Sequence, residues 1–308
     1  MKKIIVTGGA GFIGSHIVDS LVDGINKVFV IDDLSSGSKE NINQKAEFIK
    51  CDISTGEVQS IIKQIQPDII VHLAAQMSVS ESMKDPVKDV NINITGLINI
   101  LSACPQDKMP YIVFSSTGGA LYGEQDEFPA PETHPIRPTS VYGLSKFASE
   151  KYLELWQRVY GLKFGVVRFA NVYGPRQNPH GEAGVVAIFS KLLLENKTPK
   201  IFGTGEFTRD YVYVADVVEA VNKLISREQS GVYNIGTGIE TSVNKIYKKL
   251  LEVSGLDIEP IYAPQRAGDQ TRSAISSEKA KKELGWYAKV EITQGLKETF
   301  EWFKKSKI

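Results

Sequence analysis

The fold is decided by the stretch VTGGAGFIGS, which runs from Val6 to Ser15. It follows an apolar run typical of a strand, and a helical pattern of apolar residues begins directly after it. Gly8 and Gly11 leave no Cβ between the backbone N–H groups and an approaching phosphate, and the positive end of the helix dipole favours the phosphate charge. Gly14 would let the helix pack closely on the strand. The stretch predicts a turn that binds a pyrophosphate; a tight strand-to-helix turn without a ligand is the alternative.

An acidic pair, Asp32 and Asp33, ends the second predicted strand. This is roughly the distance, about 20 residues beyond a glycine turn, at which a carboxylate contacts an adenosine ribose. A carboxylate there accepts hydrogen bonds from ribose hydroxyls and repels a 2′-phosphate, so we expect NAD rather than NADP. A solvated turn residue is the alternative for Asp32. The third strand ends at Asp52 and Ile53, which we expect to flank the adenine.

Short β-branched runs alternate with helical patterns from the first residues onward. The runs are nearly continuous in apolar residues, as expected where helices cover both faces of a parallel sheet. We therefore predict an α/β fold with a doubly wound parallel sheet of the Rossmann type. The predicted strands are Lys3–Thr7, Lys27–Ile31, Glu47–Cys51, Asp68–Ala74, Tyr111–Ser115 and Lys163–Ala170.

The strand–helix rhythm loosens after Asn171 into a loop, residues 174–184, that is rich in glycine and proline. We predict an NAD-binding domain over residues 1–170, with 209–237 folding back onto it. Residues 171–208 and 238–308 would form a smaller, mixed α/β C-terminal lobe for the substrate. Further predicted strands are 209–214 and 232–235, and further helices are 185–195, 215–225, 242–253, 276–284 and 292–305.

The composition excludes several partners. Of 308 residues, 36 are basic and 36 acidic, so the zero net charge offers no general attraction to nucleic acid or to an anionic membrane. No apolar run approaches the ~20 residues that span a bilayer. Cys51 and Cys104 lie far apart and are expected to be reduced thiols in a soluble, cytoplasmic protein.

Metal chemistry is not expected, because the four histidines form no metal-binding pattern. They are His16, His72, His134 and His180. We interpret them as packing or surface residues.

Tyr142 and Lys146 lie four residues apart on a predicted helix that runs from about residue 140 to 160. That spacing places both on one helix face. A free phenol has a pKa of ~10, and the lysine ammonium, together with an oxidised nicotinamide, would favour the phenolate of a catalytic base. The pattern alone arises often by chance, but Thr117 lies directly after the carboxyl end of the fifth predicted strand, where ligands of doubly wound sheets bind.

These motifs together resemble the extended short-chain dehydrogenases/reductases that modify nucleotide sugars, and the resemblance spans nearly the whole chain. It implies that Thr117 hydrogen-bonds the sugar 4-oxygen, that Tyr142 takes the proton of that hydroxyl, and that the C4 hydride passes to NAD. Further cofactor contacts are expected at Phe12, Ile13, Leu73, Ala74, Ala75 and Asn93.

Within that family the stretch STGGALYG, residues 116–123, is most similar to short bacterial and archaeal enzymes that epimerise UDP-hexoses at C4. The related dehydratases place an Asp-Glu pair after the threonine, and a decarboxylase would carry a glutamate there. Here those positions are Gly118 and Gly119. Epimerases of UDP-N-acetylhexosamines or UDP-glucuronate share the catalytic residues and stay open, as does a non-catalytic nucleotide-binding protein.

The resemblance also implies contacts to the UDP moiety. Asn171 matches a diphosphate contact, Phe202 a ring that packs on uracil, and Arg209 and Arg266 phosphate contacts. Asp269 would accept from the nucleotide ribose. Each arginine could instead pair with a neighbouring acid, and Phe202 could be a core residue.

Three further expectations concern the cofactor contacts, the sugar pocket and the oligomeric state. Residues 73–77 lack the lysine that the best-known epimerases use near the cofactor. Ser273 stands where a bulky tyrosine can narrow the sugar pocket, so N-acetylated sugars could fit. Helices over 91–103 and 140–160 would form the family's homodimer interface, although such helices could equally pack on their own sheet.

Overall fold

A seven-stranded sheet forms the centre of the computed structural model, which describes residues 1–180, 184–265 and 270–306. Its strand order is β10-β6-β5-β4-β1-β2-β3, and the pairs β1–β2, β1–β4, β2–β3 and β4–β5 are parallel. Helices separate the strands along the chain, which confirms the doubly wound α/β class. The strands are β1 (Lys3–Thr7), β2 (Lys27–Asp32), β3 (Glu47–Lys50), β4 (Ile69–His72), β5 (Tyr111–Thr117), β6 (Phe164–Phe169) and β10 (Gly231–Ile235).

The helices between these strands carry most of the candidate site residues. In chain order they are α1 (Phe12–Leu21), α2 (Glu57–Ile65), α3 (Val79–Lys84), α4 (Pro86–Val90), α5 (Gly96–Ala103) and α6 (Val141–Tyr160). A π-helical turn, Asn91–Thr95, joins α4 to α5. The longest of them, α6, begins where the Ser140 hydroxyl accepts from the Gly143 N–H, and it ends at Gly161 in the left-handed conformation.

The chain divides into two compact units. The first comprises residues 1–121, 138–168 and 218–233, and the second the described residues of 122–137, 169–217 and 234–308. The assignment of a cofactor domain to residues 1–170 and of a substrate lobe to the later segments stays a prediction.

The core of the first unit lies where α2, α5 and α6 cover the sheet. Ile5, Ile70 and Ile112 from three neighbouring strands are fully buried there, together with Leu97 and Leu153 from the helices. Burying such side chains contributes about 1.5–3 kcal/mol each. The near-continuous apolar character of the strands is thus explained by burial.

The second unit has its own small sheets, which confirms a smaller mixed α/β part. One sheet has the order β11-β9-β7, with β7–β9 parallel and β9–β11 antiparallel, and the other pairs β8 with β12. Its strands are β7 (Asn171–Tyr173), β8 (Lys200–Phe202), β9 (Thr208–Tyr213), β11 (Glu240–Ser242) and β12 (Ile261–Ala263). The remaining helices are α7 (Val185–Leu194), α8 (Val214–Arg227), α9 (Val243–Ser254), α10 (Glu278–Leu284) and α11 (Ile292–Ser306).

Several predicted boundaries were wrong, for local reasons. β4 stops at His72 rather than Ala74, because the N–H groups of Leu73 and Ala74 both donate to Thr7 O and the chain leaves the sheet. β5 continues to Thr117, two residues beyond the prediction. The predicted helix 91–103 begins as the π-helical turn. The three-residue strands β7, β8, β11 and β12 were not predicted.

Three predictions concern the cysteines, metal binding and membrane spans. Both cysteines are free and buried. Across residues 1–180, 184–265 and 270–306, no group of three or more His, Cys, Asp or Glu side chains could hold a metal ion. Within the same part of the chain, no helix combines the length and the apolar character needed to span a membrane.

Candidate active site

The glycine turn between β1 and α1 tolerates no side chain at Gly8 or Gly14. Gly8 has φ of +71°, and a Cβ there would lie 2.7 Å from Ala74 N. A Cβ on Gly14 would lie 2.9 Å from Gly8 C and from Gly9 Cα, and closer still to Gly8 O. These neighbours are backbone atoms, which cannot relieve the clash by adopting another rotamer. The close packing predicted for Gly14 is therefore present.

The start of α1 fits an anionic group. Gly11 caps the helix in an extended conformation with no side-chain hydrogen bond, and no acidic residue stands in the first turn. The first N–H groups of a helix have no intrahelical acceptor, and they carry the positive end of the dipole. Phe12 and Ile13 open the helix at this point. The bare backbone and the helix end fit the pyrophosphate of NAD.

Asp32 links the glycine turn to the end of β2. Its Oδ2 accepts from Ala10 N–H at 3.0 Å and its Oδ1 from Leu34 N–H at 2.8 Å. Burial raises the pKa of this carboxyl, and the two backbone donors oppose that effect. Each oxygen keeps a lone pair that a ribose hydroxyl could use.

The other predicted adenosine contacts lie in turns or in the core. Asp33 accepts from the Ser35 N–H and hydroxyl, and Asp52 accepts in the same way from Ser54. Ile53 is buried and lies where a Cβ on Gly96 would meet it. These positions stay predictions as cofactor contacts.

The side-chain amide of Asn93 forms hydrogen bonds with the segment that follows β4. Its Oδ1 accepts from Gln76 N–H at 3.0 Å, while its Nδ2 donates to Gln76 O and to Asp89 Oδ2. A buried side chain with this much hydrogen bonding holds the backbone after Leu73–Ala75 in place. Its direct contact with a cofactor stays a prediction.

Lys146 lies buried beside the carboxyl end of β5. Its Nζ donates to Ser115 O at 3.0 Å and lies 4.9 Å from the centroid of the Phe114 ring and 6.0 Å from that of Tyr142. Burial lowers the pKa of Lys146 to about 8, although the carboxylates of Asp89 and Glu150 raise it. The predicted shared helix face of Tyr142 and Lys146 is thus present.

Tyr142 stands in the first turn of α6, where its backbone N–H donates to Ser82 Oγ at 3.1 Å. Burial raises the pKa of its phenol, and the charge of Asp89 raises it further. The phenol therefore holds its proton until positive charge is added nearby. That behaviour suits a base that must act only when a cationic cofactor ring is present.

Thr117 ends β5 with a buried side chain, and its Oγ1 accepts from Ala120 N–H at 3.1 Å. That bond leaves the hydroxyl proton free to be donated to a substrate oxygen. The following turn packs on α6, since a Cβ on Gly143 would lie 2.5 Å from Ala120 O. Gly143, inside the Tyr-x-x-x-Lys motif, thus sets how closely the two catalytic segments approach.

Sequence reasoning missed a buried ion pair behind this site. Glu150 accepts from Arg168 through both oxygens, at 3.0 Å and 2.6 Å, and Oε1 also accepts from Ser116 Oγ at 2.6 Å. It thereby ties α6 to the strand residue before Thr117. Its spacing, four residues after Lys146, was the one signal available.

The second unit holds the described residues that were predicted to contact UDP. Asn171 begins β7 with an exposed side chain, and Phe202 ends β8 half-buried. Arg209 Nη1 donates to Thr208 O, whereas the neighbouring Asp210 accepts from Thr237 and Gly238. Among the described residues, no ion pair joins Arg209 to Asp210, so the alternative of a neighbouring acid is not observed. Arg266 and Asp269 lie outside the described residues.

The fold and these side chains define a nucleotide-binding α/β protein with a half-buried tyrosine and a buried lysine at the carboxyl edge of its sheet. Residues 4–236 match the model of the NAD dependent epimerase/dehydratase family. The chain belongs to this family, whose members use NAD. The predicted resemblance is confirmed.

Named relatives cover the chain almost end to end. A putative UDP-glucose 4-epimerase of Methanocaldococcus jannaschii is 44% identical over 98% of this chain and 99% of its own length. The crystal structure of a Thermotoga maritima UDP-glucose 4-epimerase with UDP-glucose has a TM-score of 0.96 and 48% identity, covering 99% of this chain and 100% of that one. A Thermus thermophilus UDP-glucose 4-epimerase in complex with NAD has a TM-score of 0.94 and 41% identity, covering 99% of both chains.

Proposed function

We propose that this protein is an NAD-dependent UDP-glucose 4-epimerase, which interconverts UDP-glucose and UDP-galactose through a 4-keto sugar. The observation that carries the proposal is the set of buried Thr117, half-buried Tyr142 and buried Lys146. Gly118 and Gly119 follow Thr117 where a dehydratase needs acids. The relatives described above are all named for UDP-glucose.

The three side chains divide the chemistry at C4. The Thr117 hydroxyl donates to the sugar 4-oxygen, and the Tyr142 phenolate takes the proton of the 4-hydroxyl and later returns it. The Lys146 ammonium stabilises that phenolate, since its pKa of about 8 keeps it charged near neutral pH. When bound, NAD would supply a nicotinamide ring that can take up the C4 hydride and return it to the opposite face of the 4-keto sugar.

The first unit offers a complete set of candidate contacts for NAD. Gly8 and Gly14 allow the turn to pack closely on its own backbone and on the segment after β4, and Gly11 begins α1 without a side chain. The backbone N–H groups at this helix start, those of Phe12 and Ile13 included, are the proposed donors to the pyrophosphate. Asp32 holds the adenosine ribose. The remaining proposed contacts are Asp33, Asp52, Ile53, Leu73, Ala74, Ala75 and Asn93.

In the second unit we assign the UDP moiety to Asn171, Phe202 and Arg209. Support comes from a guanidinium that is not neutralised by Asp210 and from an aromatic ring that is only half-buried. A guanidinium fork suits phosphate oxygens, and a ring face suits a pyrimidine. Arg266 and Asp269 stay predictions from the resemblance.

A homodimer through the helices over residues 91–103 and 140–160, as the resemblance implies, belongs to the same proposal, and exposed apolar side chains on α6 and on the neighbouring α3 and α4 support it. Leu144, Leu155 and Val159 are exposed on one face of α6, at spacings of eleven and four residues. Met83 and Val87 are exposed on the neighbouring α3 and α4. Apolar faces of this kind mark association surfaces. The family's helical dimer would cover them, and a cytoplasmic location accords with two free, buried thiols.

Proton NMR of the purified protein with single UDP-sugars, and no added NAD, tests the activity. We expect UDP-galactose and UDP-glucose to interconvert to one equilibrium mixture from either side. UDP-N-acetylglucosamine and UDP-glucuronate complete the panel, with Tyr142→Phe as the inactive control. If no sugar of the panel is interconverted by protein that contains NAD, the proposal is wrong.

A further inference from the structure

Asp89 is a fully buried carboxylate with no role in the chemistry above. Its Oδ1 accepts from Ser145 Oγ at 2.6 Å, and its Oδ2 accepts from Gln76 Nε2 at 2.9 Å and Asn93 Nδ2 at 3.0 Å. All three donors are neutral. Over residues 1–180, 184–265 and 270–306, no lysine, arginine or histidine nitrogen lies within 4.0 Å of it in an ion pair. A buried charge without a contacting cation is costly, so Asp89 depends on these three hydrogen bonds.

The three partners of Asp89 come from the segments that build the candidate active site. Ser145 directly precedes Lys146 on α6. Gln76 follows the Leu73–Ala75 segment, and Asn93 lies on the π-helical turn one turn beyond Asp89. Turns of π-helix occur frequently at functional sites. Asp89 thus fastens the segment after β4 to the helix that carries Tyr142 and Lys146.

The charge of Asp89 acts on both members of the pair. It raises the pKa of Tyr142 in addition to burial, and it raises the pKa of Lys146 against burial, which lowers that value to about 8. Glu150 also raises the pKa of Lys146, but it has no such effect on Tyr142. The two carboxylates therefore differ in a way that can be measured.

The other charged groups around the pair are accounted for element by element. On β6, Arg168 is held by Glu150. On β4, burial lowers the pKa of His72 to about 3, so its ring is neutral. Apart from Asp89, the charged side chains of α3 and α4 and of the residue between them are exposed to solvent; they are Glu81, Lys84, Asp85 and Lys88.

We propose that Asp89 is a positioning residue for the Tyr142–Lys146 pair, which joins the cofactor-side segment to α6 through Gln76, Asn93 and Ser145 and supplies the fixed negative charge beside the pair. The inference rests on the proposed epimerase function. The proposed role has two parts. Three hydrogen bonds join the segments, and the negative charge shifts the pKa values of Tyr142 and Lys146.

The pH profile of kcat distinguishes the electrostatic effect of Asp89 from the effect of its hydrogen bonds. We take the acid limb as the deprotonation of Tyr142 and the alkaline limb as the loss of the Lys146 ammonium. Asp89→Asn keeps the volume and removes the charge, so both limbs should move to lower pH, by about 1 unit. Glu150→Gln should move the alkaline limb alone. Ser145→Ala removes one bond and keeps the charge, so it should lower kcat with both limbs in place.

A second readout needs neither substrate nor cofactor. The 13Cε resonance of Lys146, assigned by its loss in Lys146→Arg, follows the ammonium directly. In the cofactor-free protein its midpoint should lie at about pH 8, and lower in Asp89→Asn. Asp107→Asn, which removes an exposed charge from a turn, is the matched control and should leave the midpoint unchanged.

Each outcome is decisive. If Asp89→Asn lowers kcat at every pH without moving either limb or the Lys146 midpoint, Asp89 is only structural and the proposal is wrong. If wild-type protein interconverts no sugar, the proposed function fails while the Lys146 titration still tests Asp89. Asp89→Ser gives the same readouts if Asp89→Asn does not fold, and failure of both to fold would overturn the positioning role.

Discussion

Replacing Gly14 with alanine tests the physical basis of the glycine turn. The new Cβ would lie 2.9 Å from Gly8 C and Gly9 Cα, and closer to Gly8 O, so the start of α1 must move away from the turn. Overpacking of this kind costs about 1–3 kcal/mol. We take ~3 kcal/mol because the neighbours are backbone, and subtract ~1 kcal/mol for the better helix propensity of alanine. The free energy of unfolding should fall by about 2 kcal/mol.

Urea unfolding of NAD-free protein measures that loss, and calorimetric titration with NAD measures the effect on the turn. NAD affinity should fall at least about tenfold, since a displacement that costs ~1.4 kcal/mol of binding already has that effect. Gly56→Ala is the matched control, because a Cβ there meets nothing within 4 Å and its backbone is already helical. It should stay within about 0.5 kcal/mol of wild type. A Gly14→Ala protein with wild-type stability and NAD affinity would refute the reasoning.

Three further predictions follow from the same unit. Tyr142→Phe should lower kcat by about 10²- to 10⁴-fold with NAD still bound in the purified protein; retained activity would exclude the phenol as the base. Arg168→Met leaves the Glu150 carboxylate buried without its partner, so urea unfolding should show a loss of about 3–5 kcal/mol, and an unchanged midpoint would count against the ion pair. Because burial lowers the pKa of His72 to about 3, the unfolded chain takes up the proton first as the pH falls from ~6.5. The free energy of unfolding should therefore decline towards pH 3 by up to ~1.4 kcal/mol per pH unit, and His72→Gln should flatten that slope; parallel profiles would contradict a neutral buried histidine.

Local features were predictable from the sequence because neighbours along the chain determine them. The glycine turn, the parallel strands and the shared helix face of Tyr142 and Lys146 each depend on spacings within about twenty residues. Their signals are turn chemistry and apolar periodicity. The structure places these residues as the patterns indicated.

The rest of the site depends on partners that are distant in sequence. Ser116 meets Glu150 from 34 residues away, and Ser145 meets Asp89 from 56 residues away. A single polar residue in a helical pattern does not reveal which partner its amide or carboxylate takes, as Asn93 illustrates. Strands of three residues, such as β7 and β8, are too short to show a period of two.

Following one label at the sugar C4 tests the central claim most directly, namely that Thr117, Tyr142 and Lys146 run a reversible oxidation of a single bound sugar. UDP-galactose with deuterium at C4 is mixed with UDP-galactose that carries 13C throughout the hexose, and both are incubated with the protein without added NAD. We predict UDP-glucose in which the deuterium stays at C4 of 12C molecules. Deuterium lost to water or transferred to the 13C molecules, or no UDP-glucose at all, would contradict the account.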